Sequence, residues 1–195
     1  MELLFCSSNE KKKVEIQHKI GNEFNIINLN DVGFTGDIDE TAETFAGNAL
    51  IKATFGFETY GKPCFSDDSG LEVEELNNAP GVYSARYAGE PKSDVRNMDK
   101  LLEALNGIEN RKACFKTVLA YIDSNGKAHY FEGKIEGVIT DEKRGNQGFG
   151  YDPIFIPNSF DKTFAELSLE EKGKISHRAL AVEKFIEHLK NEISK

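Results

Sequence analysis

The sequence has no tryptophan, two methionines, five prolines and three cysteines in 195 residues. Cys6, Cys64 and Cys114 are odd in number, far apart and free of C-x-x-C spacing. A disulfide framework is thereby excluded, and buried free thiols in a reducing compartment are expected. No apolar run approaches the ~20 residues needed to cross a bilayer. The opening Met1-Glu2-Leu3-Leu4-Phe5 lacks the basic and long apolar regions of a secretory signal. A cytoplasmic protein with no membrane contact is expected. Positive charge is also scarce, with 24 Lys and Arg against 33 Asp and Glu. Polynucleotide binding needs a track of neutralising cations, so nucleic acid is not an expected partner. A small anion needs only a local cluster of donors. Two such clusters exist, at Lys11-Lys12-Lys13 and at Lys172, Lys174, His177 and Arg178.

What is present reads as an ordinary globular chain, 39% hydrophobic and 29% charged. Its length suffices for a core without staples, as a single domain over residues 1–195 or two closely packed lobes. Leu3 to Cys6 read as a buried strand, and Asn9 or Ser8 caps a helix that Gly21 ends. Phe24 to Leu29 form a second strand. Thr44 to Tyr60 have helical spacing, with Phe45, Ala49, Ala53 and Phe57 on one face. Cys64-Phe65-Ser66 is a brief strand that ends at Asp67-Asp68-Ser69-Gly70. Ser93 caps a helix reaching Leu105, and Ser124-Asn125-Gly126 joins strands at Ala113 to Ile122 and Ala128 to Ile139. A glycine-rich loop, Gly145 to Gly150, precedes Tyr151-Asp152-Pro153. Ser168 and Glu171 have capping-box spacing. Ser176 opens a terminal helix striped by Leu180, Val182, Phe185, Ile186, Leu189 and Ile193. The class is α/β with a mixed sheet.

Four constellations carry chemistry. Ser7-Ser8-Asn9-Glu10-Lys11-Lys12 joins a strand to a helix N-terminus, whose unpaired N–H groups and dipole suit phosphate. Ser66-Asp67-Asp68-Ser69-Gly70 pairs two carboxylates that are best tolerated when exposed or facing a cation; hard oxygens of this kind suit Mg²⁺. Glu40 and Glu43 offer further carboxylates. Gly148-Phe149-Gly150-Tyr151-Asp152-Pro153 combines close backbone approach, aromatic faces and an acceptor, as a planar base requires. Lys172 with Ser176-His177-Arg178 gathers cationic or switchable donors near a helix start. A lysine serving phosphate there is expected to be solvent-accessible. Each segment taken singly also reads as a capped helix, an acidic turn or a packed loop.

Taken in order, these segments resemble the inosine-triphosphatase (ITPase) family. The matching stretches are Ser7 to Lys12, Glu40 with Thr44 through Ala53, Ser66 to Leu71, Ala79 to Gly89, Gly148 to Pro153, and Ala165 through Arg178. The resemblance implies an elongated mixed β-sheet flanked by helices, two lobes around a central cleft, and a homodimer. It implies hydrolysis of non-standard purine nucleoside triphosphates (ITP, dITP, XTP) to monophosphate and pyrophosphate with Mg²⁺ as cofactor. Ser7 to Lys12 would bind the triphosphate. Asp68 would be metal ligand and general base, Glu40 the other metal ligand, and Ser69 a substrate contact. Phe149, Gly150, Tyr151, Asp152, Lys172, His177 and Arg178 would form the nucleotide pocket. Ser7-Ser8 departs from the family's usual threonine-glycine, and Ala42 from a frequent glycine.

A carboxylate bound to metal has a lowered pKa and is a poor base, so Asp67 is an alternative proton acceptor. Hypoxanthine and xanthine present an acceptor at position 6 where adenine presents a donor; donors such as His177 or Arg178 would favour the former. The rival enzymatic reading is a pyrophosphohydrolase for modified pyrimidine nucleotides. A non-catalytic nucleotide sensor is the rival of another class, and it has little need of Asp67-Asp68.

Overall fold

The computed structural model describes residues 2–193, with side chains through Glu192; the side chain of Ile193 lies outside the described residues. Six strands occur among the described residues, in the sheet order β2-β1-β3-β4-β5-β6. They are β1 (Glu2–Phe5), β2 (Asn25–Asn28), β3 (Cys64–Val73), β4 (Lys112–Ile122), β5 (Ala128–Ile139) and β6 (Phe155–Pro157). β1 pairs in parallel with β2 and β3, and β6 is antiparallel to β5. The sheet is therefore mixed, as expected. The helices are α1 (Glu10–Ile20), α2 (Phe45–Tyr60), α3 (Asp94–Ala104), α4 (Leu169–Ile175) and α5 (His177–Ile193).

Local chemistry accounts for the helix ends. The side chains of Asn9, Thr44 and Ser93 accept from the backbone N–H of Lys12, Gly47 and Arg96, supplying partners that each first turn lacks. Ser168 and Glu171 make both bonds of the capping box at α4. Gly61 closes α2 in the left-handed conformation at φ 63°. One expectation fails: β3 does not stop at Ser66 but runs ten residues to Val73, carrying both aspartates inside it. Polar side chains can stay within a buried strand when they have partners, and these do.

The chain forms two compact units. The first comprises Met1–Asp68, Thr117–Gly133 and His177–Lys195. Strand alternation sorts its interior into two layers. Leu3 and Phe5, Phe65, and Leu119 and Tyr121 face α1 and α5, packing with Ile16, Ile20, Val182, Phe185 and Leu189. Leu4 and Cys64, and Ala120 and Ile122, face the other way, toward Ala49, Ala53 and Phe57 of α2. Phe5 stacks on Phe65 at 5.1 Å and Phe65 meets Phe185 at 5.0 Å. Each such ring contributes roughly 2–3 kcal/mol by leaving water. Cys6 and Cys64 are buried free thiols, whereas Cys114 is only half-buried.

The second unit comprises Ser69–Lys116 and Lys134–Ser176. Its core gathers Leu71 and Val73, Met98, Leu101 and Leu105 of α3, and Phe115, Phe155 and Phe164. These three phenylalanines meet pairwise at 4.7, 5.9 and 5.2 Å. No described helix is long and apolar enough to cross a membrane.

Candidate active site

Asp67 shares its face of β3 with Phe65, and Asp68 shares the opposite face with Cys64. Asp67 is 1% exposed. Its Oδ1 lies 2.9 Å from Nζ of Lys12 on α1, and its Oδ2 accepts from Nε of Arg178 on α5 at 3.1 Å. The guanidinium also donates to Glu15, one turn beyond Lys12. Two cations and two carboxylates thus compensate one another in a buried cluster. Burial pushes Asp67 up, but the charges of Lys12, Arg178 and Lys52 and the Lys12 hydrogen bond outweigh it, holding the carboxyl well below the usual range. Lys12 is pulled down, because burial outweighs the attraction of Asp67.

Asp68 has different neighbours. Its Oδ2 accepts from Nδ2 of Asn48 at 3.1 Å, and its Oδ1 lies 3.9 Å from Nζ of Lys52. Lys52 donates in turn to Glu40, so one ammonium is bracketed by the two carboxylates. Asn48 also accepts from the backbone N–H of Ala42 at 2.9 Å, tying down the segment that carries Glu40. Burial raises the Asp68 pKa and the charge of Glu40 adds to it; Lys52 and Lys12 oppose without cancelling. Lys52 would be lowered by burial, but Asp68, Glu40 and Asp67 outweigh that and raise it. Two adjacent aspartates are therefore displaced in opposite directions, the pattern that separates a fixed counter-ion from a proton acceptor.

The turn before α1 is open to solvent at Ser8, Asn9, Glu10 and Lys11. Ser7 Oγ accepts from the N–H of Asn9 at 3.2 Å, the Ser7 carbonyl accepts from Leu29 and the Ser8 carbonyl from Asn30. Glu10 accepts from Asn28 at 2.6 Å and Asn30 at 2.8 Å; these bonds hold its carboxyl below the ordinary range. Its carboxylate braces the turn.

In the second unit, Asp152 Oδ2 accepts from the N–H of Phe149 at 2.8 Å and from Nζ of Lys172 at 2.6 Å. That ammonium stands 5.2 Å from the Phe149 ring centre. Gly148 has φ +73°, and a Cβ there would fall 2.0 Å from Asp152 Oδ2, so only glycine fits. The N–H of Gly150 donates to Asp94 at the start of α3, at 2.8 Å. Tyr151 is buried and its hydroxyl donates to the Ser84 carbonyl at 2.9 Å. Lys172 is 4% exposed, which corrects the expectation of a solvent-accessible lysine; the Asp152 carboxylate makes that burial tolerable. Ser69 is half-buried, directly after Asp68. His177 is buried at the first residue of α5, its carbonyl against Gly133, where a Cβ would come within 1.9 Å.

Of the residues picked from sequence, the structure groups Lys12 and Arg178 around Asp67, Glu40 with Asp68, and Phe149 and Lys172 with Asp152. Asn48, Lys52 and Glu15 were missed. Asn48 and Lys52 lie in the stretch Thr44 to Ala53 that resembles the ITPase family and are i,i+4 on α2; for Glu15 the signal is its i,i+3 spacing from Lys12 on α1.

Known proteins share this architecture. The profile of the Ham1 family matches residues 3–188. A dITP/XTP pyrophosphatase of Porphyromonas gingivalis is 56% identical over 182 residues, 93% of each chain. A second, from Flavobacterium psychrophilum, is 51% identical over 191 residues, 98% of this chain and all of that one. The solved Ham1 protein of Staphylococcus aureus superposes with a TM-score of 0.88 at 40% identity, over 98% of this chain and 100% of its own. On fold and sequence alike, the chain belongs to the Ham1 family.

Proposed function

We propose that the protein hydrolyses non-standard purine nucleoside triphosphates (ITP, dITP and XTP) at the α–β anhydride, releasing monophosphate and pyrophosphate. The observation that carries this reading is the pair Asp67 and Asp68, one held ionised by Lys12 and Arg178, the other raised toward proton acceptance. The names of the P. gingivalis and F. psychrophilum relatives point to the same substrates.

The donor set fits Mg²⁺: Glu40 and Asp68 are hard oxygen ligands that already bracket a cation, the Lys52 ammonium. When bound, the ion would neutralise triphosphate charge and stabilise the leaving pyrophosphate. The open N-terminus of α1 and Lys12 bind phosphate oxygens. Asp68, with one oxygen on the ion, would take the proton of the attacking water on its other oxygen; the ion lowers its pKa, and burial beside Glu40 opposes that. Asp67 orients Lys12 and Arg178, and the two cations lower its affinity for a proton so far that it is a poor base. Arg178, anchored on the same carboxylate as Lys12, serves the charged end of the substrate rather than the base. Lys172, beside the Phe149 ring and Asp152, is the donor suited to a 6-oxo group. A cytoplasmic homodimer, implied by the family resemblance, belongs to the same proposal.

The test is product analysis with ITP, XTP, dITP, GTP, ATP and 5-methyl-UTP, with Mg²⁺ and with chelator. Pyrophosphate from the 6-oxo non-standard purines, abolished by chelator, is expected. Orthophosphate as the product, or ATP turned over as fast as ITP, would defeat the proposal.

A further inference from the structure

A second group of ligating side chains meets in the first unit, apart from the residues assigned above. One ring nitrogen of His129 on β5, one of His188 on α5 and one carboxylate oxygen of Glu192 lie within 4.8 Å of one another. His188 and Glu192 are one turn apart, with Nε2 3.4 Å from Oε1. Bonds of about 2.0–2.1 Å at a tetrahedral angle put two ligand atoms of one zinc ion about 3.3 Å apart, so this pair already has the required separation. The Nε2 of His188 is closed off from solvent and makes no hydrogen bond among the described residues.

The surroundings support each ligand. Asp123 Oδ2 lies 2.8 Å from Nε2 of His129, a carboxylate–imidazole pairing that fixes ring orientation and tautomer in metal sites. Asp123 is itself anchored, its Oδ1 accepting from the N–H groups of Asn125 at 2.9 Å and Lys127 at 3.0 Å. The Tyr121 hydroxyl is buried beside Glu192, and burial and that neighbouring carboxylate raise its pKa. The Phe131 ring lies 5.3 Å from that of His188 and gives the group an apolar wall, and the two imidazole rings stand 4.5 Å apart.

We propose that His129, His188 and Glu192 bind a divalent transition ion of the zinc type, clipping the end of α5 to the β4–β5 hairpin. Two imidazoles and one carboxylate are a borderline nitrogen–oxygen set, which favours Zn²⁺ or Co²⁺ over Mg²⁺. The three side chains are 19%, 27% and 33% exposed, leaving a fourth position to water.

Untagged protein, stripped with chelator, is titrated with Co²⁺ and then Zn²⁺. One equivalent of Co²⁺ should give an intense visible band of tetrahedral type, bleached by Zn²⁺ and unaffected by excess Mg²⁺. Zn²⁺ at a hundredfold excess over its Kd should raise Tm by on the order of 5 °C. His188→Ala and the isosteric Glu192→Gln should each weaken Co²⁺ binding at least tenfold. Both should keep wild-type Mg²⁺-dependent pyrophosphate release, which shows that they are folded. No tetrahedral band in the wild type, or an unchanged titration in folded Glu192→Gln, would overturn the proposal.

Discussion

Replacing Asp67 by asparagine keeps the volume of the side chain and removes its charge. Lys12 at 2.9 Å and Arg178 at 3.1 Å would then face a neutral amide at a position 1% exposed. Glu15 still holds one arm of Arg178, but Lys12 keeps only the weaker attraction of Asp68. Breaking a buried pair from one side costs about 3–5 kcal/mol, because the surviving charge stays desolvated. For a chain of this size that corresponds to a Tm lower by on the order of 10 °C.

The pH dependence makes the prediction specific. The folded-state pKa of Asp67 lies below that of an unfolded aspartate, about 3.9. Its contribution is therefore complete above the unfolded value and is lost as pH falls through the window beneath it. Urea unfolding of wild type and Asp67→Asn should show the full gap at pH 7 and a narrowing gap from about pH 5 downward. Carboxylates that share no partner with Asp67 titrate alike in both proteins and cancel in the difference. A gap below about 1 kcal/mol at pH 7, or one that does not change with pH, would refute the assignment of Asp67 as a buried counter-ion.

Asp68→Asn retains an oxygen for Asn48 and should fold normally while kcat falls on the order of 10² or more; steady-state pyrophosphate release within threefold of wild type would contradict its role. Lys52→Met removes the cation beside Asp68 and Glu40. The acid limb of the kcat/KM profile should then move to higher pH, because the ionised form of Asp68 loses support. Arg178→Ala should depress kcat/KM for ITP and ATP alike, since both carry the same triphosphate; a selective loss of ITP would return Arg178 to the base. Lys172→Met should lower the ITP-to-ATP ratio of kcat/KM by about tenfold, the loss of a hydrogen bond of ~1.4 kcal/mol that only the 6-oxo base makes.

Helices and turns were legible because their signals are local. Asn9, Thr44, Ser93 and the Ser168–Glu171 box each act within four residues, and the structure has those bonds. The length of β3 was not legible. Ser66 to Ser69 are four polar residues in a row, which reads as a loop when no partner is in view. The burial of Asp67 depends on Lys12, 55 positions away, and on Arg178, 111 positions away. The role of Lys52 was hidden for the same reason, since only the fold brings Glu40 and Asp68 to it. Lys172 was misjudged as exposed because its partner Asp152 belongs to another segment.

That misreading of β3 bears on the chemistry. Two adjacent aspartates in a turn would share one environment, repel each other and titrate as a coupled pair. Inside a strand they must leave by opposite faces. Alternation hands Asp67 to the layer of α1 and α5, which supplies Lys12 and Arg178, and hands Asp68 to the layer of α2, which supplies Asn48 and Lys52. One carboxylate can then be fixed as a counter-ion while its neighbour is left displaced upward and next to Glu40. Inserting a single residue between them would put both on one face and merge the two environments, so the separation of roles rests on their being consecutive. The pairing is the device by which one short segment does two different electrostatic jobs.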